Sequence, residues 1–322
     1  MSTGTPDVTV VIPTRDRPRT LAAAVVSACG QREVDVETIV VDDGDEVRTA
    51  QVLAAIGDPR VRLIRSEDRS GVAAARNAGI DAARGPWVAF LDDDDAWAPT
   101  KLAEQLATVR QAGATWAYTG YVTVDAELRV RGGHPPAPPG EVVRDLRQHN
   151  AVPAGGSSVV VRRDALDAAG RFDPSLATSE DWDLWLRLAE VGPLAGVARP
   201  LVALREHGAM ASRRIERVLA DVEIVAGRHR LSVDRVRHLR WAAWMRLEEG
   251  DVGGALRLYA RAVRHGDLAS LGRVGVAVLR PGVARRARRP VDPTWADAGQ
   301  RWCDDLLRRV HALALPEAEV AS

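Results

Sequence analysis

The first hundred residues alternate between short apolar runs and stretches with helical apolar spacing. Val8 to Ile12 is a β-branched run stopped by Pro13, and apolar residues then recur at helical intervals from Leu21 to Ala28. Thr38 to Val41 predicts a second strand, ending in Asp42-Asp43-Gly44, and Val47 to Ile56 a second helix. Val61 to Ile64 predicts a third strand, Ala73 to Ala83 an Ala-rich helix, and Trp87 to Leu91 a fourth strand. Pro99 opens a helix from Thr100 to Gln111, because proline is tolerated where a helix begins. The strands show no in/out alternation, which predicts a parallel sheet covered by helices on both faces. Such sheets bind ligands beyond the C-terminal ends of their strands. The polar residues after Ile12, Val41 and Leu91 fall there, so three loops are expected to converge on one crevice.

From Thr115 the pattern changes. Tyr118 to Val130, with Asp125-Ala126-Glu127 between apolar runs, predicts a hairpin, and Gly132 to Gly140 a Pro/Gly-rich loop. Ser157 to Val161 predicts another strand, and beyond about Ser212 the chain reads as almost all helix. Leu247, Gly250, Ala255, Tyr259 and Ala262 match the spacing of one tetratricopeptide-type helix pair. One unit cannot stack into a solenoid, so a plain helical hairpin is expected. Pro281 to Pro290 carries Arg285, Arg286, Arg288 and Arg289 with no acid among them. It reads as a solvated linker, with a phosphate or membrane-surface patch as the alternative.

Composition narrows the function classes. Lys+Arg and Asp+Glu both total 44, so no net charge draws the chain to nucleic acid. Cys29 and Cys303 are too few for a disulfide scaffold or a Cys-based zinc site, which suits a reducing, cytoplasmic compartment. Met1 to Asp7 is short and polar, unlike a signal peptide, and no apolar run reaches the roughly 18–20 residues of a membrane span.

Asp92-Asp93-Asp94-Asp95, directly after the fourth strand, is the most informative feature. Two carboxylates about 4 Å apart repel by roughly 1 kcal/mol in water and about 4 kcal/mol at an effective dielectric near 20. Four at a partly buried edge therefore favour a cation among them, and hard carboxylate oxygens suit Mg²⁺ or Mn²⁺. An EF-hand is disfavoured, since its loop Gly and distal Glu are missing. Asp42-Asp43-Gly44-Asp45 is an ordinary turn composition, yet a carboxylate on that strand end can accept from a nucleobase N–H or ribose hydroxyls. The dinucleotide fingerprint is absent, Pro13-Thr14-Arg15-Asp16-Arg17 standing in its place. Ser179 is placed to cap a helix whose apolar face is Trp182, Trp185, Leu186, Leu188 and Ala189. Glu180 and Asp181 fall in its first turn, where the helix dipole favours anions; either they are simply capping acids or one is a general base. His207 reads by itself as a hydrogen-bonded structural histidine more readily than as a ligand. Gly155-Gly156-Ser157-Ser158 is either a flexible turn or a backbone surface that a substrate approaches closely.

Taken in order, these segments resemble the family 2 glycosyltransferases of the GT-A fold, over roughly Val8 to His207. The resemblance rests on Val10 to Thr14, Val40 to Gly44, Gly71 to Gly79, Val88 to Asp95, residues 154–158, Gly170 to Asp173, Glu180 to Arg187 and Arg205 to Gly208. It implies an α/β fold with a mostly parallel central sheet flanked by helices. A nucleotide half would cover about residues 1–113 and an acceptor half about 114–211. The helical region 212–322 would bind the acceptor or form a homodimer.

The resemblance also implies roles. Pro13, Thr14, Arg15 and Asp42 would hold the nucleotide base, with Arg76 near the ribose or diphosphate. Asp94 would bind the metal, Mg²⁺ or Mn²⁺, with Asp92 and Asp93 in the metal shell or at the ribose and His207 as a further ligand. Asp181 would deprotonate the acceptor hydroxyl, and Glu180, Trp182, Gly155 and Gly156 would line the acceptor site. The expected reaction is transfer of a sugar, with inversion, from a UDP-, dTDP- or GDP-linked donor to a hydroxyl of a glycan, lipid-linked or small-molecule acceptor. The processive-synthase signature Q-x-x-R-W is missing, Arg237-His-Leu-Arg-Trp241 being a near miss, so non-processive transfer is expected. The enzyme would be cytoplasmic, or peripheral to the inner face of the membrane. Arg15, Asp16 and Asp45 depart from commoner family residues and leave base selectivity open. A sugar nucleotidyltransferase and a catalytically silent sugar-nucleotide-binding module are the alternatives.

Overall fold

Continuous apolar runs make the N-terminal strands, as the pattern predicts. β1 (Val8–Thr14) and β2 (Val36–Asp42) are buried along their whole length. With β3 (Val61–Arg65) and β4 (Trp87–Phe90) they form a parallel set in the order β3-β2-β1-β4. The computed structural model describes residues 4–44, 46–66, 71–205, 215–279, 292–313 and 315 of the 322-residue chain. Helices α1 (Pro18–Cys29), α2 (Glu46–Ile56) and α3 (Val72–Ala82) connect these strands.

Both faces of the sheet are cores. Val10 and Ile12 of β1 pack with Leu21, Val25 and Leu91, whereas Val11 joins Ile39, Ala75 and Ile80 in a separate cluster. Successive strand side chains point to opposite faces, so a strand apolar at every position must be covered twice. Gly79 lets α3 approach closely, since a Cβ there would lie 2.3 Å from the Val11 side chain.

The second half of the sheet is mixed, so the expected mostly parallel arrangement holds only for the first half. After β5 (Ala96–Trp97) and α4 (Lys101–Ala112), β6 (Trp116–Val124) and β7 (Val130–His134) form the expected hairpin. Then come α5 (Pro139–Asp145), a single 3-10 turn (Gly155–Ser158), β8 (Val160–Arg162), α6 (Arg163–Ala169), α7 (Glu180–Val191) and β9 (Leu194–Arg205). The sheet continues from β4 as β8-β6-β9-β5, with β7 on β6. β8 is antiparallel to both neighbours, while β6 and β9 run parallel. The strand expected from Ser157 begins only at Val160. Ala154 and Gly155 are left-handed, at φ 52° and 50°, and turn the chain into the 3-10 turn first.

The described residues beyond 212 are mostly helical, as expected: α8 (Ile215–Arg228), α9 (Arg235–Glu248), α10 (Val252–Arg264), α11 (Ala269–Leu279) and α12 (Pro293–His311). α9 and α10 form the expected hairpin, burying Leu239, Ala243 and Leu247 against Ala255, Tyr259 and Ala262. This stretch does not pack as one unit. Val222 and Val225 of α8 join the core that contains Trp182 and Trp185. Trp295, Cys303 and Leu306 of α12 return to the sheet against Val122, Val124 and Ala203. The Arg-rich segment 281–290 lies outside the described residues. Among the described residues no helix is long and apolar enough to cross a membrane.

Candidate active site

The loops after β1, β2 and β4 meet, as the strand pattern predicts. The Asp43 N–H donates to the Thr14 carbonyl at 2.9 Å and the Leu91 N–H to the Val11 carbonyl at 3.0 Å. Thr14 Oγ1 donates to Asp93 Oδ2 at 2.7 Å, and the Arg17 guanidinium reaches Asp93 Oδ1 at 3.1 Å and also Asp94. Pro13 is buried within β1 and Arg15 is exposed at its mouth. Asp42 Oδ1 accepts from the Gly44 N–H at 2.7 Å and Asp43 Oδ2 from the Gly71 N–H at 3.3 Å. Their other oxygens, Asp42 Oδ2 and Asp43 Oδ1, are buried with no partner among the described residues. An acceptor left so costs about 1–3 kcal/mol, which a ligand donor would recover. Asp45 lies outside the described residues.

The acid tetrad divides into two kinds. Asp93 and Asp95 are buried, at 5% and 2% exposure, while Asp92 and Asp94 are partly exposed. Asp95 accepts from the Ser157 hydroxyl at 2.6 Å and from the Arg205 N–H at 3.1 Å. Burial, then the charges of Asp94 and Asp92, hold the Asp95 carboxyl well above the usual range. Burial and the Asp94 charge push Asp93 up to about 7, against the pull of Arg17 and Thr14. Asp93, expected in the metal shell or at the ribose, is 5% exposed and engaged by groups of the protein itself. Its oxygens are turned inward onto Thr14, Arg17 and the Arg15 N–H.

Asp92 and Asp94 remain as the outward pair. Their oxygens are hard donors of the kind Mg²⁺ and Mn²⁺ prefer. Among the described residues no three ligating side chains come together, and His207 lies outside those residues. The pair fits a cation whose other positions are filled by water and substrate oxygens, which is the habit of Mg²⁺.

The α7 N-terminus closes the other side. Ser179 occupies the cap position but, contrary to expectation, makes no side-chain cap bond; its backbone is left-handed at φ 60°. Asp181 Oδ1 instead accepts from the Trp182 N–H at 2.7 Å. Asp181 Oδ2 accepts from Asn150 Nδ2 at 2.9 Å. Gly155 lies against this carboxylate, since a Cβ there would be 3.2 Å from Oδ2, and one on Gly156 would be 3.2 Å from an Arg76 nitrogen.

Arg76 connects the two sides. It donates to Glu180 Oε1 at 2.7 Å and to Asp92 Oδ1 at 2.6 Å, and stands 5.2 Å from the Phe172 ring centroid. Burial opposes its charge, but Asp92, Glu180 and Asp181 outweigh that cost and its pKa is raised. At 3% exposure Arg76, expected near the ribose or diphosphate, is a buried bridge between Asp92 and Glu180. Burial lifts the Glu180 carboxyl to about 7, against Arg76 and with the Asp181 charge. Asp181 is also raised, by burial first, against Arg76, the Trp182 N–H and Asn150. A partly exposed carboxylate of raised pKa, held by an amide donor, is a stronger proton acceptor than a free aspartate.

Trp182 corrects the expected acceptor lining. It is 1% exposed and its indole N–H donates to the Leu146 carbonyl at 2.8 Å, so it belongs to the core and offers no acceptor surface. The sequence reading also missed the contacts of Arg17, Asn150, Ser157 and Arg205. Arg17, Ser157 and Arg205 lie in segments the sequence singled out, whereas Asn150 carried no signal of its own.

Comparisons with known proteins give the family and the fold. The family model described as Glycosyl transferase family 2 matches residues 9–170. The succinoglycan biosynthesis protein ExoO of Rhizobium meliloti (strain 1021) is 46% identical over 109 residues, which is 34% of this chain and only 31% of that protein. Escherichia coli WfgD, named UDP-Glc:alpha-D-GlcNAc-diphosphoundecaprenol beta-1,3-glucosyltransferase, is 26% identical over 190 residues, covering 59% of this chain and 72% of its own. The crystal structure of S. aureus TarS 1-349 in complex with UDP-GlcNAc matches with a TM-score of 0.58, over 97% of this chain and 98% of that one. At 13% identity that likeness is one of fold.

Proposed function

The chain belongs to glycosyl transferase family 2 and is a glycosyltransferase, and we propose that it moves a sugar from a nucleoside-diphosphate donor to an acceptor hydroxyl with inversion. The observation that carries this reading is the Arg76 bridge, which ties the outward Asp92 to the Glu180-Asp181 pair. It sets a donor side and a proton-accepting side at opposite ends of one buried cation.

On the donor side, the unpartnered oxygens of Asp42 and Asp43 accept from the nucleobase or ribose, with Arg15 at the mouth. Asp94 and Asp92 would hold Mg²⁺ or Mn²⁺, which when bound neutralises charge on a diphosphate leaving group. On the other side Asp181 takes the proton of the attacking hydroxyl, and Asn150 keeps its carboxylate oriented. One base and one displacement invert the anomeric centre. Glu180, turned onto Arg76, acts as a positioning residue. The UDP-linked sugars in the names of WfgD and of the TarS complex support a nucleotide-sugar donor, UDP-, dTDP- or GDP-linked here. The two buried, unpaired cysteines suit a cytoplasmic setting.

The test is incubation with UDP-, dTDP- and GDP-sugars and Mn²⁺, following free nucleoside diphosphate and the anomeric configuration of the product. Release from one nucleotide class with an inverted product is expected. A retained product overturns the mechanism. Pyrophosphate release from sugar phosphate and nucleoside triphosphate would instead identify a nucleotidyltransferase.

A further inference from the structure

A cleft of about 310 Å³ opens beside Asp181, at the lower end of the roughly 300–1,000 Å³ usual for small-molecule sites. Asn150, the hydrogen-bond donor to Asp181, lines it, as does Ala154, whose neighbour Gly155 lies against the same carboxylate. The rest of the wall comes from Pro135 and Pro136 after β7, from His149, and from Arg237 of the C-terminal helix α9.

Two polar groups on this wall, the Arg237 guanidinium and His149 Nδ1, have no side-chain partner among the described residues. The Arg237 side chain is exposed, and among the described residues no carboxylate pairs with it. Its nearest acid along the helix, Asp234, uses Oδ1 to cap α9, accepting from the Arg237 backbone N–H at 2.9 Å. The neighbouring Arg235, by contrast, is paired with Glu223. His149 Nδ1 is buried with no partner among the described residues. A guanidinium in this state is a planar fork that fits a phosphate or carboxylate through two parallel bonds, and an imidazole N–H can add a third donor.

We propose that this cleft is an acceptor subsite selecting acceptors with an anionic group, phosphate or carboxylate, close to the reacting hydroxyl, with Arg237 and His149 as its readers. The inference rests on the glycosyltransferase reading above and deepens it. It also gives α9 a part in the reaction.

The test is a calorimetric titration of the full chain, saturated with Mn²⁺ and the tightest binder among UDP, dTDP and GDP. The probes are glucose 1-phosphate, glucuronic acid and methyl glucoside. At least one anionic probe is expected to bind at least tenfold more tightly than methyl glucoside, and the stronger of the two identifies the group. Arg237→Ala should weaken that probe at least tenfold and leave nucleotide affinity and methyl glucoside unchanged; Arg237→Lys should retain part. Equal binding of charged and neutral probes, no probe binding, or an unaffected Arg237→Ala overturns the inference while the nucleotide still binds. If no nucleoside diphosphate binds in the first step, the glycosyltransferase reading itself fails, and this inference with it.

Discussion

Arg76 and Glu180 are 104 residues apart in the chain and 2.7 Å apart in the fold, both buried. Removing one partner of a buried pair strands the other charge, at a cost of about 3–5 kcal/mol. Arg76→Met should therefore lower the unfolding free energy, measured by urea denaturation, by an amount in that range near pH 8. The loss should be smaller near pH 5, where Glu180, already lifted to about 7, can take a proton and become neutral. A loss independent of pH contradicts the pairing.

Asp181→Asn should lower turnover about 10²–10⁴-fold, the usual worth of a general base, with an unchanged fold by circular dichroism. Glu180→Gln, acting only through Arg76, should cost less and alter thermal stability more. Full turnover in Asp181→Asn contradicts the assignment.

The pH profile carries a sign. A base must be ionised to work, so kcat/KM should fall as pH drops through a raised Asp181 pKa. Asn150 donates to the ionised carboxylate and holds that pKa down. Asn150→Ala should thus move the acid limb to higher pH; an unmoved limb contradicts the role of Asn150. For stability the direction is opposite. Glu180 binds its proton more tightly folded than unfolded, so its contribution declines as pH rises from about 4.5 to about 7.

Lys101 is the only lysine of the chain and is 0% exposed. Its amine donates to Gln105 Oε1 at 2.8 Å and stands 3.9 Å from the Trp97 ring centroid, and burial holds its pKa well below the usual lysine range. An amine-reactive ester should leave Lys101 unlabelled in the native protein at pH 8 and label it across the urea transition. Native labelling, read by mass spectrometry of the Lys101 peptide, would contradict this burial.

The strands of the first half were legible because a run apolar on both faces admits few other readings. The crevice followed from where those strands end. The inward turn of Asp93 and Asp95 was not legible, because it depends on Thr14, Ser157 and Arg205, which come from distant segments. Ser179 has the composition of a cap, but its left-handed backbone leaves that task to Asp181. Helical spacing already placed Trp182 on the apolar face of α7, where it is buried beside Leu146; the acceptor role came from the resemblance alone. The return of α12 depends on small residues: a Cβ on Gly120 would lie 2.5 Å from the Trp295 ring.

Thermal denaturation with UDP, GDP or dTDP, with and without Mn²⁺, tests the donor crevice most directly. A ligand at about 100 times its Kd adds about 2.7 kcal/mol to stability. The account predicts that one of the three raises Tm strongly only with Mn²⁺, and that Asp94→Asn abolishes the Mn²⁺-dependent part. A folded protein whose Tm none of them moves, with or without the cation, contradicts it.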